Sequence, residues 1–196
     1  MSRVAIVDLG YGNIGSVAVA FERLGTLVEL TCDPAAIRAA PRVVLPGVGA
    51  AGFAMAAIDR LGLRDVLRGL AQPLLGICLG MQLLFERSEE GGADLLGILP
   101  GTVRKMTGTR AAPVPHMGWS RLAVPAPERA LGLADGDYVY FAHSYACPDG
   151  AYVAAAAEHG GSVPALVARG AVQGVQFHPE RSGAIGARVL EAFLRC

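Results

Sequence analysis

Blocks of like charge are missing from this chain, and so is any surplus of one sign: 17 Lys and Arg stand against 17 Asp and Glu, a formal net charge of zero. That balance leaves no electrostatic footprint for nucleic acid or for an anionic membrane surface. No apolar stretch is long enough to span a bilayer. The amino terminus lacks the long apolar section of a secretory signal, because Met1-Ser2-Arg3 leads straight into Val4-Ala5-Ile6-Val7. The four cysteines, at 32, 78, 147 and 196, show no C-x-x-C spacing in a chain too large to need stapling, so reduced thiols and a cytoplasmic setting are expected. The four histidines, at 116, 143, 159 and 178, form no paired-ligand motif, which argues against a metal centre. Internal repeats and low-complexity linkers are absent too, so residues 1–196 read as one domain. What is plentiful is apolar material: 53% hydrophobic residues suffice for a sizeable core.

The first half alternates strand and helix patterns. Val4 to Leu9, Thr26 to Thr31 and Arg42 to Leu45 read as strands; Ile14 to Leu24 and Asp33 to Ala40 read as helices, the second capped by Asp33 with Pro34 in its first turn. A longer helix is expected over about Phe53 to Leu70. These elements predict an α/β fold with a mostly parallel central sheet flanked by helices. From Gly97 onward short β-like segments are punctuated by prolines, so the second half reads as largely antiparallel. A helix over about Gly186 to Leu194 closes the chain.

The centre of the pattern is Pro73-Leu74-Leu75-Gly76-Ile77-Cys78-Leu79-Gly80-Met81-Gln82. Gln72 to Ile77 is apolar on both faces, as a buried parallel strand would be, and Met81 to Arg87 carries helix formers. Cys78 therefore falls at a strand-to-helix turn, with glycines two residues away on each side giving the backbone room. A following helix would favour a negative sulfur there, which makes Cys78 a candidate nucleophile; the alternative is a cysteine that merely packs.

Three more stretches carry chemistry. Pro46-Gly47-Val48-Gly49 forms a flexible turn at the end of the third strand, on the sheet edge that right-handed crossovers share with Cys78, where backbone N–H groups could face the sulfur. The last strand, Ala171 to Phe177, runs into His178-Pro179-Glu180. In extended chain residues two apart share a face, so the carboxylate can orient the imidazole as in a nucleophile-base-acid triad. Gly10-Tyr11-Gly12-Asn13-Ile14-Gly15 fits G-x-G-x-x-G, with Asp33 near the place of a ribose-binding acid, so an NAD-binding oxidoreductase domain stands as a rival. From the triad alone a free-standing thiol hydrolase is also open.

Gly76-Ile77-Cys78-Leu79-Gly80-Met81-Gln82, Phe177-His178-Pro179-Glu180 and Pro46-Gly47-Val48-Gly49 together resemble the signatures of the class I, or triad-type, glutamine amidotransferases, over nearly the whole chain. Gly10-Tyr11-Gly12-Asn13, Pro115-His116-Met117-Gly118-Trp119 and Tyr140-Phe141-Ala142-His143-Ser144-Tyr145 are most similar to the branch that serves as the glutaminase component of imidazole glycerol phosphate synthase. The resemblance implies a flavodoxin-like fold and hydrolysis of L-glutamine through a thioester on Cys78, with His178 as acid and base and Glu180 holding it. The backbone N–H of Leu79 and one from Val48 or Gly49 would meet the oxyanion. Gly49, Gln82, Ser144 and Tyr145 would bind the glutamine head. It implies no cofactor, and a partner: a (β/α)8-barrel cyclase subunit that receives the ammonia in histidine biosynthesis, docked at positions matching Asn13, Trp119 and Arg181. Arg181 stands where relatives commonly carry lysine. Another ammonia acceptor is the alternative.

Overall fold

The computed structural model describes residues 2–12 and 14–196. In chain order the elements are β1 (Arg3–Val7), α1 (Ile14–Glu22), β2 (Leu27–Thr31), α2 (Pro34–Ala39), β3 (Val43–Gly47), α3 (Ala51–Arg60), α4 (Arg64–Arg68), β4 (Leu74–Cys78) and α5 (Leu79–Gln82). There follow β5 (Arg87–Ser88), β6 (Ala93–Asp94), β7 (Thr102–Lys105), β8 (His116–Ala123), β9 (Tyr138–His143), β10 (Tyr145–Ala146), β11 (Val153–Glu158), β12 (Ser162–Arg169), β13 (Val172–Val175) and α6 (Gly183–Phe193).

One sheet of nine strands runs in the order β2-β1-β3-β4-β13-β12-β11-β8-β9. Pairings from β2 to β13 are parallel and those from β13 to β9 antiparallel, as the change of sequence pattern predicts. The central parallel strands are covered on both faces, and strand alternation divides them: Val4 and Ile6 pack with Phe21 and Phe193, while Ala5 and Val7 pack with Ile37 and Ile58. Asp33 caps α2 as expected, accepting from the Ala35 and Ala36 N–H groups. A smaller sheet, β10-β7-β5-β6, lies beside the main one.

Two helix expectations are corrected. The helix over 53–70 is two helices, because Gly62 takes φ +66° and Leu63 N–H returns to the Ile58 carbonyl, the 6→1 bond that closes a helix on a left-handed glycine. The helix over 81–87 is only α5, a single turn. Phe85 N–H closes on Gln82 and the chain then leaves to pair Arg87 with both Asp94 and Thr102, so long-range strand pairing overrides local helix propensity.

Candidate active site

The register of three parallel strands sets the site. Gly47 at the end of β3 lies beside Cys78 at the end of β4, and Val175 of β13 lies beside Ile77, so Gln176 and then His178 leave the sheet next to the cysteine. Cys78 has φ 54° and ψ −110°, a backbone state that a side chain rarely adopts and that marks a strained strand-to-helix elbow. The flanking glycines make that elbow possible: a Cβ at Gly80 would overlap the Leu45 carbonyl oxygen, and one at Gly76 would sit 2.6 Å from the Gly80 oxygen. Because α5 is a single turn and Cys78 makes no side-chain bond to its N–H groups, the support expected for the sulfur from a long following helix is not supplied.

Beyond β13 the chain does not stay extended. Pro179–Arg181 forms a 3-10 turn, so His178 and Glu180 meet across a turn and not on one face of a strand. The expected contact is nonetheless present, with His178 Nδ1 2.8 Å from Glu180 Oε1. Ser182 anchors the turn, its hydroxyl donating to the His178 carbonyl at 2.7 Å and accepting from Tyr140 N–H at 3.0 Å. Burial lowers the pKa of His178, but hydrogen bonds to Cys78 and Glu180, together with their charges, outweigh it and raise the value to about 10. Glu180 Oε2 is buried and has no hydrogen-bond partner among the described residues, so the carboxylate is committed to the imidazole through Oε1 alone.

Cys78, His178, Gln82, Gly49 and Tyr145 face one cavity of about 220 Å³, which Val48, Leu79 and Ser144 also line. That is below the roughly 300–1,000 Å³ of sites for drug-sized ligands and suits a small amino acid. All the candidate nucleophile, base, oxyanion and substrate-binding residues therefore converge, with Glu180 behind His178. Of the docking candidates, Trp119 and Arg181 do not line this cavity. Trp119 is 55% exposed on β8, packs edge-on against Tyr140 at 6.1 Å, and continues into Arg181, whose guanidinium carbon lies 5.5 Å from the centre of the same ring. Asn13 lies outside the described residues.

Two participants are not evident from the sequence motifs. Gln176 is fully buried between the sulfur and Gln82: its Nε2 lies 3.8 Å from Cys78 Sγ and its Oε1 accepts from Gln82 Nε2 at 2.9 Å. The available signal was a polar residue between Val175 and Phe177 in an apolar strand end, since a buried amide needs partners. Glu90 lines the cavity and accepts from the Ala51 N–H at 2.7 Å, joining the wall to the start of α3. No local pattern distinguished it from neighbouring surface acids.

The features behind the dinucleotide reading have other tasks. Both Asp33 carboxylate oxygens are occupied by the α2 cap. At Gly12 an added Cβ would lie 2.8 Å from Val48 Cγ2, so the glycine loop is where the chain leans on the 46–49 turn. Among the described residues no cluster of three or more His, Cys, Asp or Glu is placed to hold a metal ion, and no helix is long and apolar enough to cross a membrane.

Residues 5–195 match the profile of the family "Glutamine amidotransferase class-I". The imidazole glycerol phosphate synthase subunit HisH of Xanthomonas euvesicatoria pv. vesicatoria (strain 85-10) is 52% identical over 196 residues, covering 99% of this chain and 98% of that one. The protein of the same name from Xylella fastidiosa (strain Temecula1) is 50% identical over 198 residues at the same coverage. Among solved structures, a glutamine amidotransferase superposes with a TM-score of 0.76 at 22% identity, over 98% of this chain and 97% of the other. PurLQS from Thermotoga maritima gives 0.72 at 20% identity, over 99% of this chain and 98% of the other. At those identities the structures speak for the fold.

Proposed function

We propose, from the premise that this chain belongs to the class-I glutamine amidotransferase family, that it is the glutaminase subunit of an imidazole glycerol phosphate synthase. It releases ammonia from L-glutamine for a cyclase subunit in histidine biosynthesis, and works as one amidotransferase domain in the cytoplasm. The observation that carries the chemistry is a single cavity faced by Cys78 and His178, with Glu180 closing on the imidazole from behind. Identity of 50–52% along the full length of proteins named as synthase subunits supports the choice of partner.

In this reading the Cys78 thiolate attacks the glutamine side-chain carbonyl carbon. The oxyanion forms against the backbone N–H of Leu79 and one from the Val48-Gly49 turn, each donor contributing about 3–4 kcal/mol. The His178 imidazolium passes its Nε2 proton to the departing nitrogen, the C–N bond breaks, and ammonia leaves a glutamyl thioester. Water then attacks the thioester as neutral His178 takes its proton, and collapse expels glutamate and restores the thiolate beside the imidazolium. Glu180 keeps Nδ1 protonated and the ring aimed at the sulfur throughout.

Substrate recognition follows from the donors and acceptors left over. Gln82 commits its Nε2 to Tyr145 O and Gln176 Oε1, so it presents only Oε1 to a ligand, an acceptor suited to the glutamine α-ammonium, and the Glu90 carboxylate on the same wall adds the matching charge. Backbone groups of Gly49, Ser144 and Tyr145 complete the wall. The exposed Trp119, Arg181 and the Asn13 position form the proposed docking face for the barrel cyclase.

The test is glutamate release from L-glutamine by the chain alone and with the cyclase subunit plus its nucleotide ligand. Negligible turnover alone and strong stimulation in the complex are expected. High unstimulated turnover, or indifference to the cyclase, overturns the assignment.

A further inference from the structure

A line of polar groups that has no part in bond making ends at the cavity, which His143 itself lines. Ser120 Oγ lies 2.8 Å from His116 Nε2, His116 Nδ1 lies 3.1 Å from His143 Nε2, and His143 Nδ1 lies 2.8 Å from the Tyr145 carbonyl oxygen. That same carbonyl accepts from Gln82 Nε2 at 2.9 Å, and Gln82 continues through Gln176 to the sulfur. The two imidazoles are 2% and 6% exposed. His116 is held flat between Phe141, at 4.5 Å, and His159, at 3.9 Å, which leaves its in-plane nitrogens free for the two polar contacts.

The direction of every bond in this line follows from one atom. A carbonyl oxygen only accepts, so His143 must carry its proton on Nδ1. If the ring is neutral, Nε2 is then an acceptor, His116 must donate from Nδ1, and the Ser120 hydroxyl must donate to His116 Nε2. Neutrality is consistent with the surroundings. Burial, then repulsion from the neighbouring imidazoles, holds His116 at about 3; burial dominates for His143 and holds it at about 4, despite the favourable bond to Tyr145. On the other side the carbonyl forces the Gln82 amide to present Nε2, which forces Gln176 to present Oε1 to Gln82 and Nε2 to sulfur. A reversed proton anywhere between Ser120 and His143 would place two donors or two acceptors face to face.

We propose that Ser120, His116 and His143 are positioning residues that hold the Tyr145 carbonyl, and through it Gln82 and Gln176, so that the substrate wall and the Cys78 sulfur keep one arrangement. The proposal rests on the glutaminase reading of the cavity. Its chemistry is orientation only: no proton leaves the line during turnover, and His143, though it lines the cavity, has both ring nitrogens committed within the line and so acts on the wall through Tyr145.

Two measurements test it on the complex with the cyclase subunit. In nitrogen-15 imidazole spectra of the wild-type protein, His116 and His143 should both show the Nδ1–H tautomer and stay neutral from about pH 8 to about pH 5. An Nε2–H tautomer or an imidazolium at either ring within that range overturns the proposal, and this reading needs no variant to fold. Kinetically, H143F removes the donor to Tyr145 and should raise KM for glutamine about tenfold or more, with a smaller change in kcat, the scale of one lost hydrogen bond at the substrate wall. H143N, whose amide N–H can stand in for Nδ1–H, should bring KM back to within about threefold of wild type. Unchanged KM in H143F, or no recovery in H143N, refutes the positioning role. If the wild-type complex itself releases no glutamate, the functional reading fails instead, a different result from an active wild type with indifferent variants.

Discussion

Acid places a load on the buried imidazole pair. In the unfolded chain both rings titrate near 6.5, whereas in the folded protein His116 is held at about 3 and His143 at about 4. Between those limits the unfolded state binds more protons, so stability falls as pH falls, beginning near 6.5. From about pH 6.5 to about pH 5 each ring contributes a loss of about 1.5 kcal/mol at 1.36 kcal/mol per unit, and about 3 kcal/mol is the ceiling for the pair because their mutual repulsion is shared. With a urea dependence of about 2 kcal/mol per molar, the midpoint should drop by about 1.5 M. The assay is urea unfolding followed by far-ultraviolet circular dichroism across this range, on wild type and on H116F, which keeps the aromatic sandwich and removes one titrating ring. About half of the loss should disappear in the variant. His178 has the opposite sign: its value, raised to about 10, gives stability that is complete below 6.5 and is lost as pH rises toward 10, so stability should peak near 6.5. A wild-type midpoint that moves by less than about 0.5 M over the acid range, or a pH dependence unchanged in H116F, would show that the pair is not held neutral by the fold.

Two further outcomes follow from the elbow and its thiol. G80A must push a methyl group into the Leu45 carbonyl, so it should cost about 3 kcal/mol or more, read as a fall in thermal midpoint of several degrees with loss of glutaminase activity; a variant as stable and active as wild type would contradict the packing. A glutamine-mimicking electrophile should modify Cys78, located by peptide mass spectrometry, and spare Cys147, which is buried with its pKa raised chiefly by burial. Preferential adducts at exposed Cys32 or Cys196 would count against the mechanism.

Some of this protein was decided within a few residues and so was readable without coordinates. An apolar run with room-giving glycines around Cys78 specifies a buried strand and a tight elbow, and Asp33-Pro34 specifies a helix start, because caps and turns are local interactions. His178 and Glu180 lie close enough along the chain to meet under either an extended or a turned backbone, so their contact was foreseeable although the 3-10 turn that makes it was not.

Other features depend on partners far away in sequence. The helix expected over 81–87 gives way to strand pairing with residues 94 and 102, and the break at Gly62 lies within a stretch whose apolar content alone resembles one helix. Gln176 meets Cys78 because β13 lies beside β4, and the Ser120-His116-His143 line exists because β8 pairs with β9, bringing His116 opposite His143. Composition announced that the chain would bury a core, and local pattern that it would carry a thiol, an imidazole and a carboxylate at strand ends. Only strand order and register determined which buried polar groups satisfy one another, since a hydrogen bond is specified by the position of both atoms and one segment of sequence supplies just one of them.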